Sequence, residues 1–226
     1  MTSPLVAADG VARTFGSGPT AVVALHDVTC VVEEHARVVV VGPSGSGKST
    51  LLHLLAGLDV PTVGSVSWPG LGVERRAWPP GTVGVVFQGE SLLPALDATE
   101  NVALPLLLRG VDDDEATARA VAALEQLGLG AVARLLPEEL SAGQSQRVAV
   151  ARALAPEPRL IVADEPTGRL DGPTGASVVT ALERAADASG AAVVIATHDR
   201  AVASRFAVRW VMSEGTIDHR EPAWAG

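Results

Sequence analysis

Lysine is nearly missing from this chain: its 17 basic side chains comprise a single lysine, Lys48, and 16 arginines. Tyrosine is absent, aromatics make up 3% of the residues, and Cys30 and Asn101 are the only cysteine and asparagine. Each shortage excludes something. One cysteine cannot close an internal disulfide, so a disulfide-stapled domain is ruled out and a reducing cytoplasm is expected. With 26 acidic residues and a formal charge of −9, there is no basic excess for general nucleic-acid binding. Apolar runs such as residues 38–41 and 104–108, the latter broken by Pro105, fall far short of the ~20 residues that span a bilayer. The opening MTSPLVAADG has no basic segment leading into an apolar one, so no signal peptide is expected. A sole asparagine also leaves no Asn-Lys-x-Asp guanine-recognition motif.

What is present reads as one globular domain: 226 residues, 47% apolar and 19% charged, enough to bury a full core. Short β-branched runs alternate with helical stretches. Residues 38–41, 83–87, 160–163 and 192–196 read as strands, the buried ones followed by polar residues where the carboxyl edge of a sheet would lie. A helix is expected over 48–56, stopped by Gly57. That alternation predicts an α/β fold with a mainly parallel sheet. Residues 5–8 and 22–32, flanking Gly16-Ser17-Gly18-Pro19, predict an additional antiparallel β layer. The pattern turns helical between about 89 and 155, with helices over 99–109 and 115–127, so an inserted α-helical subdomain (89–155) is expected within a core of 1–88 and 156–226. Asp112-Asp113-Asp114 invites a metal reading, but carboxylates at a helix N-terminus explain it better.

The lone lysine lies in Gly42-Pro43-Ser44-Gly45-Ser46-Gly47-Lys48-Ser49-Thr50, which fits G-x-x-x-x-G-K-[ST] between a strand and a helix. Glycines let backbone N–H groups curl around phosphate oxygens, and the helix N-terminus adds further donors and its positive dipole end. Lys48 supplies a point charge for the β- and γ-phosphates, and the Ser49 hydroxyl suits Mg²⁺. A second element, Leu160-Ile161-Val162-Ala163-Asp164-Glu165, ends a buried strand in two carboxylates. Asp164 is placed to hold the Mg²⁺ shell and Glu165 to polarise an attacking water as general base. Nucleotide hydrolysis is the expected reaction class.

Leu140-Ser141-Ala142-Gly143-Gln144 and the helical run that follows it narrow the reading further. Together with the phosphate loop and the Asp164-Glu165 pair, this stretch resembles the signature motif of ABC transporter nucleotide-binding subunits, and the resemblance covers nearly the whole chain. It implies an ATPase that binds ATP and Mg²⁺. In that family Ser141, Gly143 and Gln144 would clamp the γ-phosphate of a nucleotide held by the opposite subunit, and Ala142 stands where the family has glycine. The resemblance further makes Gln88 the Q-loop glutamine near Mg²⁺, His198 the switch histidine at the γ-phosphate, and Asp171 the D-loop aspartate. Arg169 departs from the small or amide residue usual in that loop. Phe15 takes the position of the adenine-stacking aromatic, the alternative being an ordinary core phenylalanine. His26, His35, His53 and His219 have no such context and read as surface or packing residues.

Asp164-Glu165-Pro166-Thr167-Gly168 and Thr99-Glu100-Asn101-Val102-Ala103-Leu104-Pro105 resemble the branch serving lipoprotein-release, macrolide-export and cell-division permeases. Residues 61–87 depart from it, and a trimmed β-hairpin and linker are expected there. The resemblance implies a dimer of ATPase subunits with ATP at the interface, driving a separate integral membrane permease from the cytoplasmic face, with docking beside Gln88. A mechanical transmitter that regulates a cell-wall enzyme through a membrane partner would carry the same motifs. A soluble DNA-repair or translation ATPase of the family would need coiled-coil or tandem domains that 226 residues do not hold.

Overall fold

The computed structural model describes residues 4–72, 78–89 and 91–222, with side chains to Asp218. The chain begins with β1 (Val6–Phe15), β2 (Val22–Val32) and β3 (Arg37–Val41), followed by α1 (Lys48–Leu55) and β4 (Val63–Ser67). After β5 (Val83–Val86) come three helices, α2 (Ala98–Leu108), α3 (Asp113–Gln126) and α4 (Ala142–Leu154). Next are β6 (Leu160–Asp164), α5 (Gly172–Ser189), β7 (Ala192–Ala196) and α6 (Arg200–Ala203). The strands β8 (Val208–Ser213) and β9 (Thr216–Pro222) close the described chain. Two compact units form, residues 1–78 with 192–226 and residues 79–191.

In the first unit β1 pairs antiparallel with β2 and with β4, giving a three-stranded layer in the order β2-β1-β4. A second set of strands is built on β3, which runs parallel to both β7 and β8, while β9 returns antiparallel along β8. Val38, Val39 and Val40 are buried, as are all five residues of β7, which is why these runs show no polar alternation. β1 extends well past the predicted residues 5–8. Its irregular registers hide it from a period-2 pattern, and Gly10 diverts its N–H to the Thr29 hydroxyl at 2.9 Å. The hairpin expected in 61–87 resolves differently: β4 pairs with β1, and Trp68 packs edge-on against Trp78 with ring centroids 5.2 Å apart. Residues 73–77 of that segment lie outside the described residues.

In the second unit β5 and β6 are parallel, Val83 facing Leu160 and Val86 facing Ala163. β5 ends one residue earlier than predicted. The Phe87 carbonyl accepts from Gln146 Nε2 at 3.4 Å instead of continuing the ladder. Capping explains the helix starts. Asp97 accepts from the Glu100 N–H at 2.8 Å while the Glu100 carboxylate accepts from the Asp97 N–H, a reciprocal box that opens α2. Asp112 caps α3, accepting from the Asp114 N–H at 3.0 Å, so the acidic run serves a helix terminus. Among the described residues no group of three or more His, Cys, Asp and Glu is placed to hold a metal, and no helix is long and apolar enough to cross a membrane.

The sole asparagine has a structural task. Asn101 is fully buried, donates to the carbonyls of Leu93, Leu96 and Asp97, and accepts from the Leu93 N–H at 2.8 Å. It thereby satisfies the backbone of the loop before α2. Replacing the cap, Asp97→Ala, is expected to cost about 1 kcal/mol of stability, read as a lower urea midpoint. An unchanged midpoint would show that the box does not hold the start of α2.

Candidate nucleotide site

The phosphate loop leaves the carboxyl end of β3 and enters α1 at Lys48. Its glycines answer to backbone approach. A Cβ at Gly42 would collide with the Met212 carbonyl oxygen, and one at Gly47 (φ +95°) would lie 2.5 Å from the Ala24 carbonyl oxygen. Both contacts come from within the same unit, so β2 and β8 buttress the loop. The Gly215 N–H in the β8–β9 turn adds a hydrogen bond to the Ser46 carbonyl at 3.2 Å. At Gly45, by contrast, a Cβ would meet nothing within 4 Å, which marks the open side of the loop.

Lys48 Nζ donates to the carbonyls of Gly42 (2.9 Å) and Pro43 (2.8 Å), so the ammonium is held over the loop by the loop itself. The Ser46 hydroxyl is buried, and its oxygen has no hydrogen-bond partner. A Cβ at Gly42 would lie 2.9 Å from that oxygen, so the hydroxyl faces the same closed side of the loop as the Met212 carbonyl, opposite in character to the open space at Gly45. Ser49 and Thr50 occupy the first turn of α1, half-buried, and Pro43 and Ser44 are exposed. His198 follows β7, whose Ala196 faces Val40 of β3, so the imidazole is carried on the same carboxyl edge as the phosphate loop. Thr197, fully buried, pins that edge: its N–H bonds the Val40 carbonyl at 3.1 Å, and its hydroxyl accepts from the Asp199 N–H at 3.1 Å. Phe15 ends β1 with 43% of its surface exposed, which removes the core-phenylalanine alternative. Its strand partner Val22 stands two residues before Ala24, the β2 residue that abuts Gly47.

The second unit carries the remaining predicted residues. Asp164 is buried at the end of β6, and Gln88 is exposed just past β5, on the same carboxyl edge. Glu165 adopts φ +47°, a left-handed conformation uncommon for a side-chain-bearing residue, and its carbonyl accepts from the Gly168 N–H at 3.1 Å. Ser141 and Gln144 cap α4 reciprocally: Ser141 Oγ accepts from the Gln144 N–H at 3.2 Å, and Gln144 Oε1 from the Ser141 N–H at 2.8 Å. This leaves the hydroxyl proton of Ser141, on an exposed residue, available to donate. Ala142 sits in the first turn with helical backbone, so the methyl group where the family has glycine meets no conformational penalty. Gly143 packs against the loop before α5, a Cβ there lying 3.2 Å from Leu170 Cδ2. Asp171 caps α5, accepting from the Thr174 N–H at 2.8 Å. That bond first, then the Thr174 side chain and the charge of Arg147, hold the Asp171 carboxyl below its ordinary range against slight desolvation.

Sequence reasoning missed several supports. Arg152, its pKa lowered by burial, donates to the Ser91 carbonyl (2.7 Å) and hydroxyl (2.9 Å) beside a groove of about 430 Å³. Gly89, Leu92, Leu140, Gln146 and Arg169 are among the residues that line the groove. Arg13 and Asp59 form a two-point ion pair at 2.8 and 2.9 Å. None of these pairs has a local sequence signal. His26 and His35 are exposed and His53 half-buried, while the side chain of His219 lies outside the described residues.

Strand, phosphate loop and helix in this arrangement define a P-loop nucleotide-binding protein. The ABC transporter family model matches residues 25–168, more than half of the chain. The lipoprotein-releasing system ATP-binding protein LolD of Bordetella pertussis is 41% identical over 222 residues, covering 96% of each chain. LolD of Legionella pneumophila is 40% identical over 215 residues, covering 92% of this chain and 95% of the relative. The ATP-binding cassette MJ0796, solved as a dimer in a post-hydrolysis state bound to ADP and Pi, superposes with a TM-score of 0.90 at 35% identity. That match covers 98% of this chain and 100% of the other. The chain belongs to the ABC transporter family and is an ATP-binding, ATP-hydrolysing subunit of it.

The single lysine makes the phosphate site directly testable. Amine acetylation at Lys48, followed by peptide mass spectrometry, is expected to fall sharply with saturating ATP. Equal modification with and without ATP would place the nucleotide elsewhere.

Proposed function

We propose that this subunit powers a separate membrane permease of the lipoprotein-release type, working as a dimer that closes on ATP at the cytoplasmic face of the membrane. The observation that carries the dimer is the duplication of phosphate-binding geometry. The chain holds one complete phosphate loop and, on a different helix, an exposed N-terminus whose Ser141 hydroxyl and backbone N–H groups suit a phosphate oxygen. A nucleotide held in the loop of one copy would be met by the Ser141, Gly143 and Gln144 turn of the other, with Asp171 bordering the junction. The dimeric MJ0796 cassette supports this arrangement, and the LolD relatives support lipoprotein release as the transported class.

Each residue has a defined task. The backbone N–H groups from Gly42 to Thr50 and the Lys48 ammonium would neutralise the β- and γ-phosphates, and Phe15 would stack on the adenine. Ser49 of the first unit and Gln88 and Asp164 of the second would supply hydroxyl, amide and carboxylate oxygens, donor types that suit Mg²⁺. When bound, that ion supplies charge neutralisation at the phosphates. Glu165 would orient water and take its proton as the γ-phosphate is cleaved, and His198 would hold the γ-phosphate side of the site. The left-handed backbone of Glu165 fits this role, since strained conformations persist where the side chain must be aimed. Loss of the γ-phosphate removes the bridge between copies, and the dimer opens. The groove lined by Gly89, Leu92, Gln146 and Arg169, next to Gln88, is the proposed seat of the permease.

Glu165→Gln should retain ATP binding, lower turnover by at least about a hundredfold, and accumulate an ATP-dependent dimer on gel filtration. A strictly monomeric Gln variant beside a wild type that hydrolyses ATP would overturn the interfacial site.

A further inference from the structure

We propose that Arg13 and Asp59 form a positioning pair for the nucleotide base, holding Phe15 as a one-faced stacking platform and fixing that platform to the helix of the phosphate loop. The inference rests on the reading of Phe15 as the adenine contact. It goes beyond that reading by assigning a task to two residues outside the motifs.

The Arg13 guanidinium carbon lies 4.5 Å from the centroid of the Phe15 ring, so one face of the ring is covered by a cation. Phe15 keeps 43% of its surface exposed, and with one ring face occupied by the cation, a planar base would have to stack on the other. A long arginine side chain would not stay under a ring at a strand end without restraint, because holding it there costs rotamer entropy. Asp59 supplies the restraint: Nε and Nη2 of Arg13 donate to its two carboxylate oxygens at 2.8 and 2.9 Å. Both side chains are only about one-fifth exposed. This fork-to-carboxylate geometry fixes the guanidinium plane as well as its position. Partial burial works to raise the Asp59 carboxyl, but the Arg13 bonds, the Val60 N–H and the charges of Arg13 and His53 outweigh it and hold the carboxyl below its ordinary range.

The position of Asp59 gives the pair its reach. α1 starts at Lys48 and ends at Leu55, and the chain turns out of it with the Gly57 N–H bonded to the Leu54 carbonyl and the Leu58 N–H to the His53 carbonyl. Asp59 is the next residue. The ion pair therefore joins the strand that carries Phe15 to the far end of the helix that carries Lys48. Two more bonds reinforce the joint: the Thr14 N–H to the Thr62 hydroxyl at 3.0 Å and the Thr62 N–H to the Ala12 carbonyl at 2.8 Å.

The test separates base from phosphate. Binding of ATP and of inorganic tripolyphosphate is measured by calorimetry for Arg13→Gln, Asp59→Asn, Phe15→Ala and the double variant Phe15→Ala/Arg13→Gln. Thermal melts identify any variant that fails to fold. Arg13→Gln and Asp59→Asn are each expected to weaken ATP about two- to fivefold while leaving tripolyphosphate unchanged. The double variant is expected to bind ATP no more weakly than Phe15→Ala alone. Arg13→Lys keeps a cation over the ring without the fork, and its ATP affinity is expected between wild type and Arg13→Gln; it replaces the Gln variant if that one melts early. Parallel loss of ATP and tripolyphosphate affinity, or an additive double variant, would reduce the pair to a structural brace and overturn the proposal. Unchanged ATP affinity in Arg13→Gln and Asp59→Asn, with Phe15→Ala weakened, would overturn the pair and leave the platform standing. Unchanged ATP affinity in Phe15→Ala would instead remove the platform reading itself.

Discussion

A backbone must bend its N–H groups toward an anion while pressed against neighbouring carbonyls, and the first unit is organised around that constraint. At Gly42 and Gly47 the loop runs so close to Met212 and Ala24 that a methyl group could not be added without moving β8 or β2. β8 is held there as a parallel partner of β3, and the β8–β9 turn ties in β2, whose His26 N–H donates to the Gly215 carbonyl at 2.9 Å, and the loop itself, whose Ser46 carbonyl accepts from the Gly215 N–H. The result is a rigid floor and an open roof: contact beneath Gly42 and Gly47, and free space at Gly45. Pre-organisation of this kind moves the cost of bringing dipoles together from binding to folding.

Helix N-termini recur as the second organising device, and their caps decide what each can still do. α1 has no side-chain cap, so its first N–H groups remain for a phosphate. α4 is capped by Ser141, yet a serine that accepts one bond keeps a proton to donate, so the cap and the proposed γ-phosphate contact do not compete. α5 is capped by Asp171, an anion already engaged by Thr174, which suits a residue that borders a phosphate without binding it. In the proposed site the same geometric feature would thus give a phosphate cradle, a clamp and a plain helix start, according to the cap.

Legibility in the sequence followed locality. The phosphate loop, the carboxylates at the end of β6 and the histidine after β7 are readable because each lies on a contiguous segment whose neighbours declare a buried strand. Phe15 could be placed by resemblance, but its exposure, which rules out a core role, is a tertiary property. Bulges near Gly10 disrupt the alternation of β1 and hide its length, and β5 is shorter than its apolar run because Gln146 takes the Phe87 carbonyl from the ladder. The Arg13–Asp59 pair joins residues 46 apart in a chain rich in both types, and nothing local marks it. Asn101 shows the limit most clearly. In the sequence its rarity excludes only a guanine motif, whereas in the fold it bonds four backbone groups of one loop.

The imbalance between arginine and lysine acquires a physical meaning from these contacts. Arg109 bridges the carbonyls of Pro80 and Pro156, Arg147 those of Gly143 and Leu127, and Arg152 both oxygens of Ser91. Each uses the width of the guanidinium to tie together two acceptors that a single ammonium would serve less well. Lys48 faces the opposite demand. Its two acceptors are the carbonyls of consecutive residues within one tight loop, and in the proposed site the charge would swing from them to a phosphate in the same space. A compact ammonium on a flexible stem can make that exchange, and a planar fork cannot turn within so narrow a loop. Arginine therefore serves where the chain needs a fixed clip, and lysine stands at the one position where the proposed phosphate site would require the cation to move.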